Sequence, residues 1–318
     1  MNCSICGKKT TNIITNRLRG GQAGTVYYCP DCDYAMLKSS FESIEEYYNN
    51  EYRKNFKDNL QGIEPTADEI YKTRCDFQMD RLEIIESYYS VEKTFLEIGC
   101  SAGQFLSKIK GKFKEVVGVE LAKNCADYVR EVFQIPVYTQ TFQEICWENK
   151  FDYIGFFQVL EHIDQPDIFL QSIAKVLNED GRVFIEVPNL NDPLRKLYDL
   201  SGYEEFFYHE AHLSYFTEKS IALLLEKNGF EVEKIHFLQD YNFLNHIYWY
   251  FNNKPQPTCE FGLSEPYLQF KTESLKIKNA GEEINQLLVE TNNQYISILK
   301  KYGLTSNLFI VAKKANAD

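Results

Sequence analysis

The chain has 318 residues, 44% of them hydrophobic and 25% charged, with a formal net charge of -12 at pH 7. That length buries a sizeable core in one large domain with additions or in two modest ones, and the balance is globular rather than disordered. A surface this acidic repels phosphate backbones, so nucleic acid is not an expected partner.

The first ten residues, MNCSICGKKT, hold no apolar stretch of the signal-peptide kind. No run approaches the roughly 18 apolar residues of a membrane span. The expectation is a cytoplasmic protein without membrane insertion, in which paired thiols read as metal ligands rather than disulfides.

Residues 1–40 are loop-rich and carry two Cys-x2-Cys pairs, Cys3 with Cys6 and Cys29 with Cys32. Gly7 after the first pair and Pro30 inside the second suit tight turns around a metal. Four soft thiolates complete a tetrahedral zinc shell, and a closed shell is structural rather than catalytic. A segment this short needs such a staple to fold. The remaining Cys75, Cys100, Cys125, Cys146 and Cys259 are scattered and read as ordinary buried thiols.

Residues 41–90 read as a helical linker whose Tyr47, Tyr48, Tyr52 and Tyr71 are placed to cover a cofactor. Behind a cap at Thr66 or Asp68, the residues Ile70, Phe77, Ile84, Ile85 and Tyr88 recur at near-helical spacing. From 91 to 240, strand-like and helix-like segments alternate. Strands are expected over 94–98, 116–119, 135–138, 151–156, 182–187 and 232–238. Helices are expected around Phe105, Leu106 and Ile109, around Tyr128 and Val132, and over 166–177 with Pro166 in the first turn. Another runs from a Thr217 cap to Lys227, closed by Gly229. Residues 241–303 form an aromatic and then helical insertion, a cap or an interface, before a last strand within 304–318. The aromatic stripe over 237–250 reads as core or as the surface of a homodimer. Strands alternating with helices define a doubly wound, mainly parallel, seven-stranded α/β sheet, apolar on both faces.

The most informative loop is 97–103, between the first of those strands and its helix. Gly99 and Gly103 let the backbone turn sharply and approach a ligand. Glu120 ends the next strand, where a carboxylate accepts both hydroxyls of a ribose. The loop lacks the G-x-G-x-x-G spacing of a dinucleotide site, and Glu97 would repel a pyrophosphate. An amino-bearing sulfonium nucleoside with no phosphate, S-adenosylmethionine, fits those charges better.

The segments FLEIGCSAGQFL, VVGVE, FDYIGFFQVLEHIDQPDIFLQSIAKVLNEDGRVFIEVPN and HLSYFTEKSIALLLEKNGFEV resemble the successive motifs of class I S-adenosylmethionine-dependent methyltransferases, over roughly residues 70–240. The resemblance implies that the loop holding Gly99, Ser101, Gly103 and Gln104 wraps the amino acid part of the cofactor. It implies Glu120 on the ribose, Leu121 beside the adenine, Thr141 and Phe142 near the adenine edge, and Gln158 lining the methionine end. An Asp commonly follows the third strand in that family. Here Tyr138-Thr139-Gln140-Thr141 offers no carboxylate, so the adenine amino group needs another acceptor.

Methyl transfer usually needs a base for the departing proton. The stretch 207–216 gathers titratable groups after the fifth strand, with His212 and His209 as candidate bases and Glu210 and Tyr208 as orienting partners. The stretch is similar to the Tyr-His-Glu-His run before Leu-Ser-Tyr-Phe in zinc-containing sugar C-methyltransferases, which also carry an N-terminal four-cysteine zinc module. Ala211 stands where that run has Glu, so only His212 carries over, and O- or N-methylation stays open. His162, after the fourth strand, is a second candidate base. The resulting expectation is methyl transfer to a small hydroxylated acceptor, a nucleotide-linked sugar or surface-polysaccharide precursor. An RNA methyltransferase and a non-catalytic cofactor-binding scaffold are the alternatives.

Overall fold

A computed structural model describes residues 1–38, 65–256, 258–270 and 274–315. Tyr47, Tyr48 and Tyr52 lie outside the described residues. The N-terminal segment forms an antiparallel ribbon of β1 (Ile13–Arg17), β2 (Ala23–Cys29) and β3 (Tyr34–Leu37).

The helix expected behind Thr66 is two helices, α1 (Ala67–Arg74) and α2 (Met79–Ile85). Thr66 is the cap, in a capping box with Glu69, while Asp68 pairs with Lys72 and accepts from the Tyr128 hydroxyl. The break has a packing cause. Tyr71 of α1 lies on Tyr128 and Phe133, whereas α2 sends Arg81 to Glu186 and buries Ile85 against the sheet. One straight helix would not serve both surfaces, and Phe77 in the break is 40% exposed.

The alternation then runs through β4 (Ser90–Ile98), α3 (Leu106–Ile109), β5 (Phe113–Val119), α4 (Lys123–Phe133), β6 (Val137–Tyr138), β7 (Phe151–Phe157), α5 (Pro166–Val176) and β8 (Leu177–Pro188). Two short helices, α6 (Pro193–Lys196) and α7 (Ser201–Phe207), lead to β9 (Ser214–Tyr215), α8 (Glu218–Lys227) and β10 (Phe230–Leu238). The insertion of α9 (Phe243–Asn252), α10 (Cys259–Leu263) and α11 (Leu275–Lys301) precedes β11 (Asn307–Lys314). The main sheet has the order β10-β11-β8-β7-β4-β5-β6, and only β11 runs antiparallel to its neighbours. This is the expected doubly wound seven-stranded sheet. Strand order reverses between β4 and β7, so the crevice for a ligand opens at their carboxyl ends.

Period-two alternation sorts the strand residues onto two cores. Leu96, Ile98, Val117, Val119, Ile154, Phe156, Ile185, Leu308 and Ile310 pack on one face. Phe95, Val116, Phe157, Phe184, Phe309 and Val311 pack on the other. Helices follow the same economy: α4 buries Cys125, Ala126 and Val129, leaving Val132 exposed. Cys100 and Cys125 are buried thiols as expected, but Cys146 is exposed and Cys75 partly so.

The cysteine segment does not stand apart from this core. β9 adds to the ribbon beside β3, with Ala35 opposite Tyr215 and Met36 opposite Ser214. Cys3, Ile5, Cys29, Cys32, Tyr34 and Met36 share one apolar cluster with the first face of the main sheet. In the insertion, Trp249 and His246 turn inward while Tyr250 and Phe251 face solvent, so the aromatic stripe divides between core and surface. No described helix is long and apolar enough to cross a membrane.

Candidate active site

The loop after β4 is built for close backbone approach. Gly99 and Gly103 have φ of +76° and +81°, the left-handed region that glycine reaches without cost. A Cβ on Gly99 would meet Val159 Cγ2 at 2.5 Å, and one on Gly103 would meet Val129 Cγ2 at 2.8 Å. The first contact also locates the loop against the turn that follows β7. Ser101 takes φ 49°, a strained value for a residue with a Cβ.

Two carboxylates frame the loop. Glu120, just beyond β5, accepts from the backbone N–H groups of Ser101 at 2.9 Å and Ala122 at 2.7 Å. Each bond engages one of the two carboxylate oxygens. Glu97 is 4% exposed, and its Oε2 makes no hydrogen bond among the described residues. Burial pushes its carboxyl up to about 8, against the opposing pull of Arg81 and with a further push from Glu120. A cationic amino group beside it would relieve that penalty. The charges and the backbone of this loop suit a cationic, phosphate-free ligand such as S-adenosylmethionine.

The other expected cofactor residues divide. Gln104 is buried and donates to Ile70 O, tying α1 over the loop. Gln158 takes φ 57°, and its amide donates to Glu186 Oε1 at 3.0 Å and Asn307 Oδ1 at 3.2 Å. Arg81 closes that network with two bonds to Glu186, at 2.7 and 2.9 Å. Burial pushes the Glu186 carboxyl up, but Arg81 and Gln158 outweigh it and hold the group below its ordinary range. Leu121 is partly exposed beside Glu120. Thr141 caps a single 3-10 turn with Glu144, which accepts from its hydroxyl at 2.7 Å. The one carboxylate in that turn is therefore already engaged. The Phe142 ring packs into the core against Trp147 and Phe169.

The turn after β7 and the stretch before β9 are stapled together. Leu213 N donates to Glu161 O at 2.7 Å, and His162 Nδ1 lies 2.8 Å from Ala211 O. The rings of His162 and His212 are 4.8 Å apart, and those of His209 and His212 are 3.6 Å apart. Burial pushes the His162 imidazole down to about 4. His209 and His212 also sit well below the ordinary histidine value, by burial first and then by mutual repulsion and Arg19. Burial therefore favours the neutral form of all three imidazoles.

The structure thus brings His162, His209 and His212 into one cluster. Glu210 is partly exposed beside it. The Tyr208 ring is fully buried against Phe207 and Tyr215, and its hydroxyl is buried without a hydrogen-bond partner among the described residues. The Tyr215 hydroxyl holds the backbone of His209, accepting from its N–H and donating to its carbonyl oxygen. Sequence reasoning passed over Glu161, whose Oε1 lies 3.8 Å from His162 Nε2 and 3.9 Å from His212 Nε2. The signal was the adjacent Glu-His pair at the carboxyl end of a parallel strand. It also missed Arg19, which donates to Phe206 O and lies 3.8 Å over the Phe206 ring.

In the N-terminal ribbon, one sulfur atom from each of Cys3, Cys6, Cys29 and Cys32 lies within 4.8 Å of the others. Cys6 Sγ and Cys29 Sγ are 3.8 Å apart, which is about the edge of a tetrahedron with metal–sulfur bonds of 2.3 Å. Gly7 follows the first pair with φ +73°, and Asp33 follows the second with φ 54°, so both hairpins turn back left-handedly around the sulfurs. The donor set suits zinc.

A family profile described as a methyltransferase domain matches residues 50–235. The chain belongs to that family, and the shared domain is that of an S-adenosylmethionine-dependent methyltransferase. A ubiquinone biosynthesis O-methyltransferase from Glaesserella parasuis serovar 5 is 30% identical over 108 residues, 30% of this chain and 46% of that protein. The C-methyltransferase NovU from Streptomyces niveus is 29% identical over 146 residues, 44% of this chain and 33% of that protein. The chain therefore spans less than half the length of either relative. A solved S-adenosylmethionine-dependent methyltransferase from Archaeoglobus fulgidus has a TM-score of 0.48 and 20% identity, with 77% of this chain and 97% of that chain covered.

Proposed function

We propose that the protein transfers the methyl group of S-adenosylmethionine to a small hydroxylated acceptor, a nucleotide-linked sugar or surface-polysaccharide precursor. The observation that carries this reading is the buried Glu97 carboxyl, whose Oε2 has no hydrogen-bond partner among the described residues, near Glu120 and a left-handed glycine loop packed against the turn after β7. When bound, the cofactor supplies an electrophilic methyl on a sulfonium. Glu97 holds its amino group, Glu120 its ribose, and the Gln158–Glu186–Arg81 network fixes the wall beside its methionine end. The neutral imidazole cluster takes the proton that leaves the acceptor carbon or oxygen as the new bond to methyl forms.

The four cysteines bind structural zinc, on the strength of their sulfur spacing and the two left-handed turns. Zinc then stiffens the ribbon whose β3 edge carries β9, the strand that ends the histidine stretch. The likeness to the C-methyltransferase NovU favours C-methylation, and the N-terminal thiolate set is in keeping with the resemblance to zinc-containing sugar C-methyltransferases. The likeness to the ubiquinone enzymes favours O-methylation as the second reading. The net charge of -12 argues against RNA. The test is methyl transfer from labelled S-adenosylmethionine to a panel of nucleotide-linked keto-sugars and of catechol-type phenols. Label in a sugar carbon supports the first reading, and label in a phenolic oxygen replaces it with the second. No transfer to any acceptor by protein that binds the cofactor leaves the scaffold reading.

A further inference from the structure

Glu161, His162 and His212 come from two different loops, and their donor atoms lie within 4.8 Å of one another. We propose that these three residues hold a divalent first-row cation such as Zn2+, separate from the four-cysteine site, with a coordination position open toward the acceptor. The proposal extends the methyltransferase reading only in naming what the open position meets.

Distances decide first. Glu161 Oε1 is 3.8 Å from His162 Nε2 and 3.9 Å from His212 Nε2. Both are too long for hydrogen bonds. They approach the spacing of roughly 3.4–3.6 Å between ligands that share one metal at about 2.1 Å. Burial decides next. Glu161 is 0% exposed, and neither carboxylate oxygen makes a hydrogen bond among the described residues. A buried carboxyl without partners is costly, and a cation between it and the two imidazoles would satisfy it. Orientation agrees. The contact of His162 Nδ1 with Ala211 O fixes the proton on Nδ1 and turns the Nε2 lone pair toward Glu161, the outer-shell arrangement of a metal-bound histidine.

Two imidazoles and one carboxylate are three ligands, which leave a position open, whereas four thiolates close a shell. His212 keeps 15% of its side chain exposed while Glu161 is fully buried, so of these two ligands His212 is the one solvent reaches. An acceptor hydroxyl or carbonyl oxygen bound there would be polarised, and a hydroxyl would lose its proton more readily. With His162 and His212 on the cation, His209 is the imidazole left to take that proton.

The experiment is a Co2+ titration of the metal-stripped full chain, followed by absorption. Thiolate-bound cobalt gives intense near-ultraviolet charge-transfer bands, and cobalt on nitrogen and oxygen gives only weak visible bands. The wild type should take two equivalents, one of each kind. Glu161→Gln and His212→Asn should each lose the weak-band equivalent and keep the thiolate bands, which also report an intact fold. A wild type that takes one equivalent with thiolate bands alone overturns the proposal. So does a second equivalent that persists in both variants. S-adenosylhomocysteine titrated into the same samples reports separately on the methyltransferase reading.

Discussion

The hydroxyl of Tyr34, on the last strand of the cysteine ribbon, lies 2.5 Å from the hydroxyl of Ser214, on the strand that closes the histidine stretch. Both residues are buried, so neither group has water in reserve. Tyr34→Phe leaves Ser214 Oγ short of its partner and should lower stability by about 1–2 kcal/mol, read from the denaturant midpoint. An unchanged midpoint would mean that the ribbon and the core are held together elsewhere.

Cys6 is the exposed member of the cysteine set, so Cys6→Ser removes one thiolate with the least loss of packing. Its expected effect is on the histidine stretch, through β3 and β9, rather than on the glycine loop. Turnover should fall by about tenfold or more while affinity for S-adenosylhomocysteine stays nearly constant. Equal loss of both would show that the metal merely keeps the whole chain folded.

Gly103→Ala places a Cβ 2.8 Å from Val129 Cγ2 at φ +81°. Val129 is fully buried and has little room to give. Backbone strain alone costs roughly 1–2 kcal/mol, so both the melting temperature and cofactor affinity should drop. A variant of wild-type stability would show that the loop relaxes freely.

Glu97 makes cofactor binding pH-dependent. Its folded carboxyl, pushed up to about 8 by burial, holds its proton at pH 7, and a cationic ligand favours the ionised form. Binding should therefore release a proton near pH 7, and affinity should rise as pH climbs toward about 8 and then level off. Without ligand the sign is opposite for stability. The folded value lies above the unfolded one, so Glu97 costs stability progressively as pH rises from about 4.5 to about 8. Calorimetry in two buffers of different ionisation enthalpy measures the released proton, and identical heats would exclude this role.

What the sequence could reveal was whatever is local and periodic. The apolar runs at Phe95, Val116, Ile154 and Phe184 marked strands because a covered parallel sheet needs both faces apolar. The two Cys pairs and the glycine loop were legible because their spacing is itself the chemistry. The pairing of β3 with the two-residue β9 was not, since so short a strand has no period and its partner lies far away in the chain. Glu161 stands beside His162 in the sequence, but its burial and its facing of His212 exist only after the loops meet. The burial of the Tyr208 ring in an aromatic cluster was not legible for the same reason, since its packing against Tyr215 exists only in the folded chain.

The central claim is a cofactor site in which Glu120 binds the ribose, and calorimetric titration of S-adenosylhomocysteine into wild type and Glu120→Ala tests it most directly. The account predicts clear binding by the wild type, weakened roughly 10- to 100-fold in the variant, as loss of charge-assisted hydrogen bonds worth about 1.5–3 kcal/mol requires. No binding by folded wild type, or equal affinity in the two proteins, would contradict it.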